Sequence, residues 1–411
     1  MLAFSDTESQ AAERRSRSVL LLLCAQVFLI HVGQQLVIPI LPLYAAAFGI
    51  GSMAIGTMLT LQSVPRLFVS VPAGHVADRF GAHRVLLAAF VLAVGSAVIG
   101  AIASDYATLL TSRVVQGVAS GMSATAGLTY AASLGGAGGS GRQISLYQGA
   151  HLLGNSFGPL AGGLIAQAFG YRAPFVVYGV IAAGTALWLW RRLPDPRQVP
   201  GAATTPADTH EGLRRPAPRD LARLLLSAGV LLSCVIGLVA AFTRSGTRNF
   251  GLVMLADLRG VGEGRIGLML SAIFLANVAV LYLVGLLVDR FGARVVFVPG
   301  WLVMAFGLYL VTRPGAYAML LAGAVIYGIG SGIGNSVPAM HIASIVAPHQ
   351  RGLALGMYRT FGDLGLILGP LVMGVLIVSV GVANGILFTA ALVAVTAVVF
   401  WFLGPARKAD A

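Results

Sequence analysis

Five arginines and one aspartate stand where charge is expensive. Arg66, Arg113, Arg244, Arg248, Arg359 and Asp363 all fall within stretches otherwise built of apolar and small residues. On insertion scales such a group costs about 2.5 to 3.5 kcal/mol at a helix centre, so each should face a cavity or a partner. Arg359 and Asp363 are four apart and share a helix face. They either neutralise each other for insertion, or Asp363 is a proton site poised between an attracting guanidinium and an apolar surround. Arg244, Ser245, Gly246, Thr247, Arg248 and Asn249 form the most polar stretch inside any apolar run. As a cavity wall it would attract an anionic or zwitterionic molecule; alternatively both Arg side chains snorkel to the headgroups, Arg248 more readily than Arg244.

Elsewhere, His31, Gln34 and Gln35 precede Pro39 and Pro42, which suggests a helix that bends and lines a cavity. His31 either titrates or is a hydrogen-bonded packing residue, and His151 and His341 carry the same two readings. Arg113 and Gln116 lie in a fourth apolar run, Arg113 about 12 Å inward from Asp105 at helical rise. No Cys/His/acid cluster or His-Glu-x-x-His stands out for a metal, no nucleophile and base pair for an enzyme, and no Gly-x-x-x-x-Gly-Lys loop for ATP. The two cysteines, Cys24 and Cys234, lie in different halves and imply no disulfide framework. The expectation is a protein without enzymatic activity, metal or cofactor.

The elements that must position these residues are membrane-spanning helices. A chain of 411 residues that is 57% hydrophobic and 10% charged has too little polar surface to cover a soluble globule. Its apolar runs are continuous rather than alternating, which selects helices over barrel strands. Twelve spans fit: 19–46, 54–76, 85–103, 107–131, 144–168 and 172–190, then 223–255, 265–287, 295–312, 316–340, 353–380 and 382–403. Most of the 27 basic residues then fall on one side, so the net charge of +13 marks topology rather than nucleic-acid binding. With an Arg-rich start and an even count, both termini are expected in the cytoplasm, the protein in the inner membrane with the lipid bilayer as its surround. The organisation expected is a six-helix half at 1–190, a polar linker at 191–222 and a second half at 223–411, working as a monomer.

The halves are copies. Gly74-His75-Val76-Ala77-Asp78-Arg79-Phe80-Gly81 returns as Gly285-Leu286-Leu287-Val288-Asp289-Arg290-Phe291-Gly292, an offset of 285 − 74 = 211. The same offset relates Gly117 to Gly328, Gly121 to Gly332, Gly154 to Gly365 and Gly158-Pro159 to Gly369-Pro370. Arg113, by contrast, maps onto Ala324, so the charge was kept where only one half needs it. In the loop, Gly74 is expected to let helices approach and Gly81 to permit a positive-φ turn. Asp78 at the boundary could face a helix end or an Arg, forming a gate made and broken as access alternates; the simpler reading is that Asp78 and Arg79 fix topology, and Asp289 and Arg290 carry the same alternatives.

Two six-helix halves, each with Gly-x-x-x-Asp-Arg-x-Gly after its second span, resemble the major facilitator superfamily over nearly the whole chain. The resemblance implies an all-α membrane protein of twelve transmembrane helices in two pseudo-symmetric six-helix bundles, carrying a small molecule by rocking its halves about a midplane cavity. The first loop departs from the family pattern, with Ala82 and His83 where two basic residues are usual and Arg84 one step later. Gly154-x-x-x-Gly158-Pro159-x-x-Gly162-Gly163 resembles the motif of the proton-coupled drug antiporters, implying export against protons; a close-packing face is the simpler reading. Those antiporters often carry an acid in the first helix, where this chain has none. Export of a small amphipathic molecule by proton antiport is therefore the leading expectation. The alternatives are a carrier of organic anions or polar metabolites, and a transport-dead membrane sensor.

Overall fold

The computed structural model describes residues 2–134, 140–194, 227–346 and 350–403, with the side chains of 2–16, 140, 282, 289, 335, 336, 339, 343, 344 and 352 excepted. Most of the expected linker at 191–222, and the side chain of Asp289, lie outside that set. The described chain runs as helices: α1 (Leu2–Val37), α2 (Leu41–Ala46), α3 (Ser52–Phe80), α4 (Ala82–Ala101), α5 (Tyr106–Ser133), α6 (Ser140–Phe169) and α7 (Ala173–Arg192). After the linker follow α8 (Ala228–Phe242), a π-helical segment (Thr243–Gly251), α9 (Leu252–Leu258), α10 (Glu263–Phe291), α11 (Ala293–Thr312), α12 (Tyr317–Ile345), α13 (Arg351–Val380) and α14 (Val382–Leu403).

Among the described residues, ten stretches are long and apolar enough to cross a membrane; α1 with α2 forms one, and α8 through α9 another. The two long helices not among them are α5 and α6, which complete the twelve spans. They carry Arg113, Gln116 and the glycine motif, and their polar residues are tolerable because they turn inward: Arg113 and Gln116 are only 3% and 2% exposed. The first span bends where Pro39 interrupts it, α1 ending at Val37 and α2 starting at Leu41.

Contacts divide the chain into two units, Met1–Ile40 with Leu61–His210 and Leu41–Thr60 with Glu211–Ala411. In the first, α1 packs on α6 and α7, and α4 on α5 and α7. In the second, α8 and the π-helical segment pack on α13, while α12 packs on α10 and α11 and α11 also on α14. Leu41–Thr60 is tied into this second unit: the Thr60 hydroxyl donates to the Ile367 carbonyl at 2.8 Å, and a Cβ at Gly56 would lie 2.3 Å from the Pro370 oxygen.

The duplication is visible in the packing of each unit. A Cβ at Gly117 would lie 2.3 Å from the Gln62 carbonyl, and one at Gly328 2.7 Å from that of Ile273, the position 62 + 211. Gly154 faces the Phe28 carbonyl and the His31 Cβ, while Gly365 faces the Leu238 carbonyl and the Ala241 Cβ. Here the offset on the partner helix is 238 − 28 = 210 rather than 211, so the first spans of the two halves match one residue out of step.

The loops after α3 and α10 turn through Gly81 and Gly292 at φ of 96° and 84°, a region costly to residues with a Cβ. Close approach, however, is not what places Gly74. A Cβ there would meet Thr125 Cγ2 at 3.6 Å, an ordinary contact, and one at Gly285 would meet nothing within 4 Å.

Candidate functional site

In the first unit, α6 lies against α1 along its glycines. A Cβ at Gly154, Gly158 or Gly162 would come within 2.6 Å, 2.3 Å or 2.0 Å of α1 atoms, so only hydrogen fits at these contacts. Pro159 and Gly163 are buried on the same helix. This seam brings polar groups together. The Gln35 amide donates to Asn155 Oδ1 at 2.9 Å, and the His31 and His151 rings meet edge to face with centroids 4.0 Å apart. His31 Nδ1 lies 2.8 Å from the Val27 carbonyl, which can only accept, so Nδ1 carries the hydrogen.

Deeper in the same unit, Arg113 of α5 stacks over Phe175 of α7 at 5.1 Å and donates to the Ser112 hydroxyl at 2.8 Å. Its Nε is buried without a hydrogen-bond partner. Tyr178 of α7 donates to Gln116 Oε1 at 3.0 Å, and Gln34 of α1 reaches the same hydroxyl. Three helices thus contribute to one polar cluster around a buried guanidinium. Its unsatisfied Nε, and the Gln116 Nε2 likewise without a partner, are the kind of open donors a substrate or water would engage.

In the second unit, the π-helical segment places Arg244 and Arg248 on one cavity with Ala240, Trp301, Met304, Tyr327, Ser331 and Gly334. No carboxylate is among these lining residues. Arg248 is 5% exposed, lies over the Phe274 ring at 4.2 Å and donates to Asn249 Oδ1 at 3.0 Å. The snorkelling reading of Arg248 is thereby corrected: its guanidinium stacks on an aromatic face within the bundle. Trp301 is fully buried, and its indole N–H, beside Gly334, has no hydrogen-bond partner. The free space is about that of one water, so this is a niche for a head group rather than for a whole amphipathic molecule.

The remaining expected residues are on α3, α10 and α13. Asp363 is half-buried and Arg359 exposed, both on α13. Asp78, Arg79 and Arg290 are exposed at the loop ends, where Arg79 stacks on Phe80 at 5.4 Å and Arg290 on Phe291 at 5.3 Å, the same geometry in both copies. Arg66 is half-buried on α3, its backbone oxygen in contact with the Gly121 position. Tyr178, Trp301, Tyr327 and Phe274 were not foreseen from sequence. An aromatic in an apolar run is indistinguishable from core until its neighbours are known, although the glycine at 334 is the trace that the Trp301 edge leaves.

The sequence profile of the Major Facilitator Superfamily matches residues 23–256 and 234–411. The quinolone resistance protein NorA of Staphylococcus aureus is 22% identical over 356 residues, covering 85% of this chain and 87% of NorA. Multidrug resistance protein 2 of Bacillus subtilis is 22% identical over 366 residues, 88% and 89% of the two chains. Among solved structures, a bacterial homologue of the human lysosomal transporter Spinster, inward-facing and occupied, superposes with a TM-score of 0.78 at 16% identity, covering 94% of this chain and 96% of the other.

Proposed function

Because the chain belongs to the major facilitator superfamily, we propose that it exports a small amphipathic molecule bearing an anionic group, in exchange for protons. As a member it is a multi-pass membrane transporter and not an enzyme. The observation that carries the anionic preference is the second unit's niche, where Arg244, Arg248, the Trp301 N–H and the Tyr327 hydroxyl converge with no carboxylate among the lining residues. Such a constellation is complementary to a carboxylate or sulfonate and repels a cation. Export is supported by the glycine seam of α6 and by the resistance named for both relatives. The protein works in the inner membrane with both termini cytoplasmic, and Asp78-Arg79 with Asp289-Arg290 gate the cytoplasmic ends of the spans.

The test uses inside-out vesicles, with carboxyfluorescein as the anionic probe and a rhodamine as the cationic one, each with and without a pH gradient. Gradient-dependent accumulation of the anion, reduced by Arg248→Gln and Arg244→Gln, is the expected result. Accumulation of the rhodamine alone, abolished by Asp363→Asn, would overturn it in favour of a cation exporter whose proton rides on Asp363.

A further inference from the structure

We propose that the exchanged proton is bound by the imidazole pair His31–His151 in the seam between α1 and α6; this rests on the proton-coupled reading above. The first span of this unit carries no acid, and the pair stands in its glycine seam with α6, centroids 4.0 Å apart and one turn from Gly154, whose missing Cβ faces His31. The Val27 carbonyl fixes the His31 tautomer, so Nε2 is the atom that takes a proton.

Packing does not explain the two rings. In the second unit Gly365 meets Leu238 and Ala241 with no ring at either matching position: Ala241 stands at 31 + 210, and Gly362, at 151 + 211, has nothing within 4 Å of its Cβ position. The backbone contact at the glycine therefore forms in that copy without the two titratable rings that accompany it in the first. The cavity beside His31 is lined from α4 by Leu86 and Phe90, from α5 by Ser123 and from α6 by Tyr147, with no carboxylate. Cys24 on α1 neighbours Tyr147, while Tyr178 of α7 and Arg113 of α5 belong to their own hydrogen-bonded and stacked cluster. The ring that faces His31 is therefore that of His151, and at this separation one imidazolium excludes a second. The pair binds one proton: an N–H bond forms at an imidazole nitrogen as hydronium gives up its proton to become water, and the reverse releases it on the other side. A charge placed between backbones in contact at Gly154 and Gly158 links proton occupancy to helix spacing, which is what coupling requires.

The experiment is nitrogen NMR of the full chain labelled with ¹⁵N-histidine in lipid vesicles, titrated between about pH 4 and pH 9. His31→Asn, which keeps a donor for Val27, and His151→Asn assign the signals. One shared protonation, with each substitution altering the titration of the other ring, is expected; rings that stay neutral throughout, or that titrate without regard to each other, would overturn the proposal. In reconstituted vesicles, His31→Asn and His151→Asn should bring gradient-driven carboxyfluorescein accumulation to its gradient-free level while lowering dye exchange less. Equal loss of accumulation and exchange in both variants means a structural role and overturns it. A pair that titrates as one unit in a protein that accumulates neither dye upholds the proton site and sinks the export reading.

Discussion

Replacing Gly162 with Ala forces the seam of α1 and α6 apart. The added Cβ would stand 2.0 Å from the Leu36 carbonyl oxygen and 2.6 Å from its Cα and carbonyl carbon, all backbone atoms that cannot rotate away. Carbon and oxygen sit no closer than about 3.3 Å, so relief needs the helices to separate by roughly 1 Å. The Gln35–Asn155 hydrogen bond, now 2.9 Å, would then stretch beyond bonding range. Overpacking of this kind costs about 1–3 kcal/mol and the lost buried bond about 1 kcal/mol, offset by the roughly 1 kcal/mol that Ala gains over Gly in a helix. The net loss is about 1–3 kcal/mol. Gly149 lies on the same helix with nothing within 4 Å of its Cβ position, so Gly149→Ala should be neutral or stabilising by up to about 1 kcal/mol. Thermal unfolding of both variants in detergent, followed by fluorescence-detected gel filtration, makes the comparison. Equal midpoints for the two alanines would refute the claim that backbone contact at Gly162 sets the spacing of these helices.

Other substitutions separate stability from transport. Trp301→Phe removes a buried N–H that has no partner, so unfolding should be unchanged or slightly later, while the concentration for half-maximal carboxyfluorescein uptake rises about tenfold. Tyr178→Phe leaves Gln116 Oε1 without its 3.0 Å donor and should lower stability by about 1–3 kcal/mol, read as an earlier unfolding midpoint. Asp105 caps α5 by accepting from the Thr108 N–H at 2.9 Å and its hydroxyl at 2.9 Å, bonds that hold its carboxyl below the usual range. Because the folded value is the lower one, this contribution is present above the unfolded carboxyl's pKa and is lost as pH falls through the depressed one. Asp105→Ala should therefore destabilise at neutral pH, with the gap to wild type closing under acid in the same unfolding assay.

What was legible in the sequence follows from what membranes demand of any sequence. Long apolar runs fix the spans to within a few residues, as with Ala293–Thr312 against an expected 295–312, because each run must satisfy its own backbone. Repetition exposed the paired glycines, and their role in close packing could be reasoned from type alone. Meeting points were not legible. His31 and His151 are 120 residues apart, and nothing in either apolar run says which faces touch. Gly74 shows the opposite failure, a repeated glycine credited with a close approach that Thr125 at 3.6 Å does not require. The niche of the second unit was half visible: its two arginines could be read as a polar stretch, whereas Trp301, Tyr327 and Ser331 come from two other helices.

The nine π-helical residues Thr243–Gly251 have a consequence for how such a site arises and can be undone. A π turn is what an α-helix forms when it absorbs an inserted residue without unwinding its ends. Deleting one residue within the segment should let it relax to α geometry while α8 and α9 keep the faces they present, so that only the side chains inside the segment are re-aimed. That local change would swing one or both guanidiniums from the niche. A length change of one codon, with no change in composition, is thus a route by which relatives of this chain could gain or lose affinity for anions.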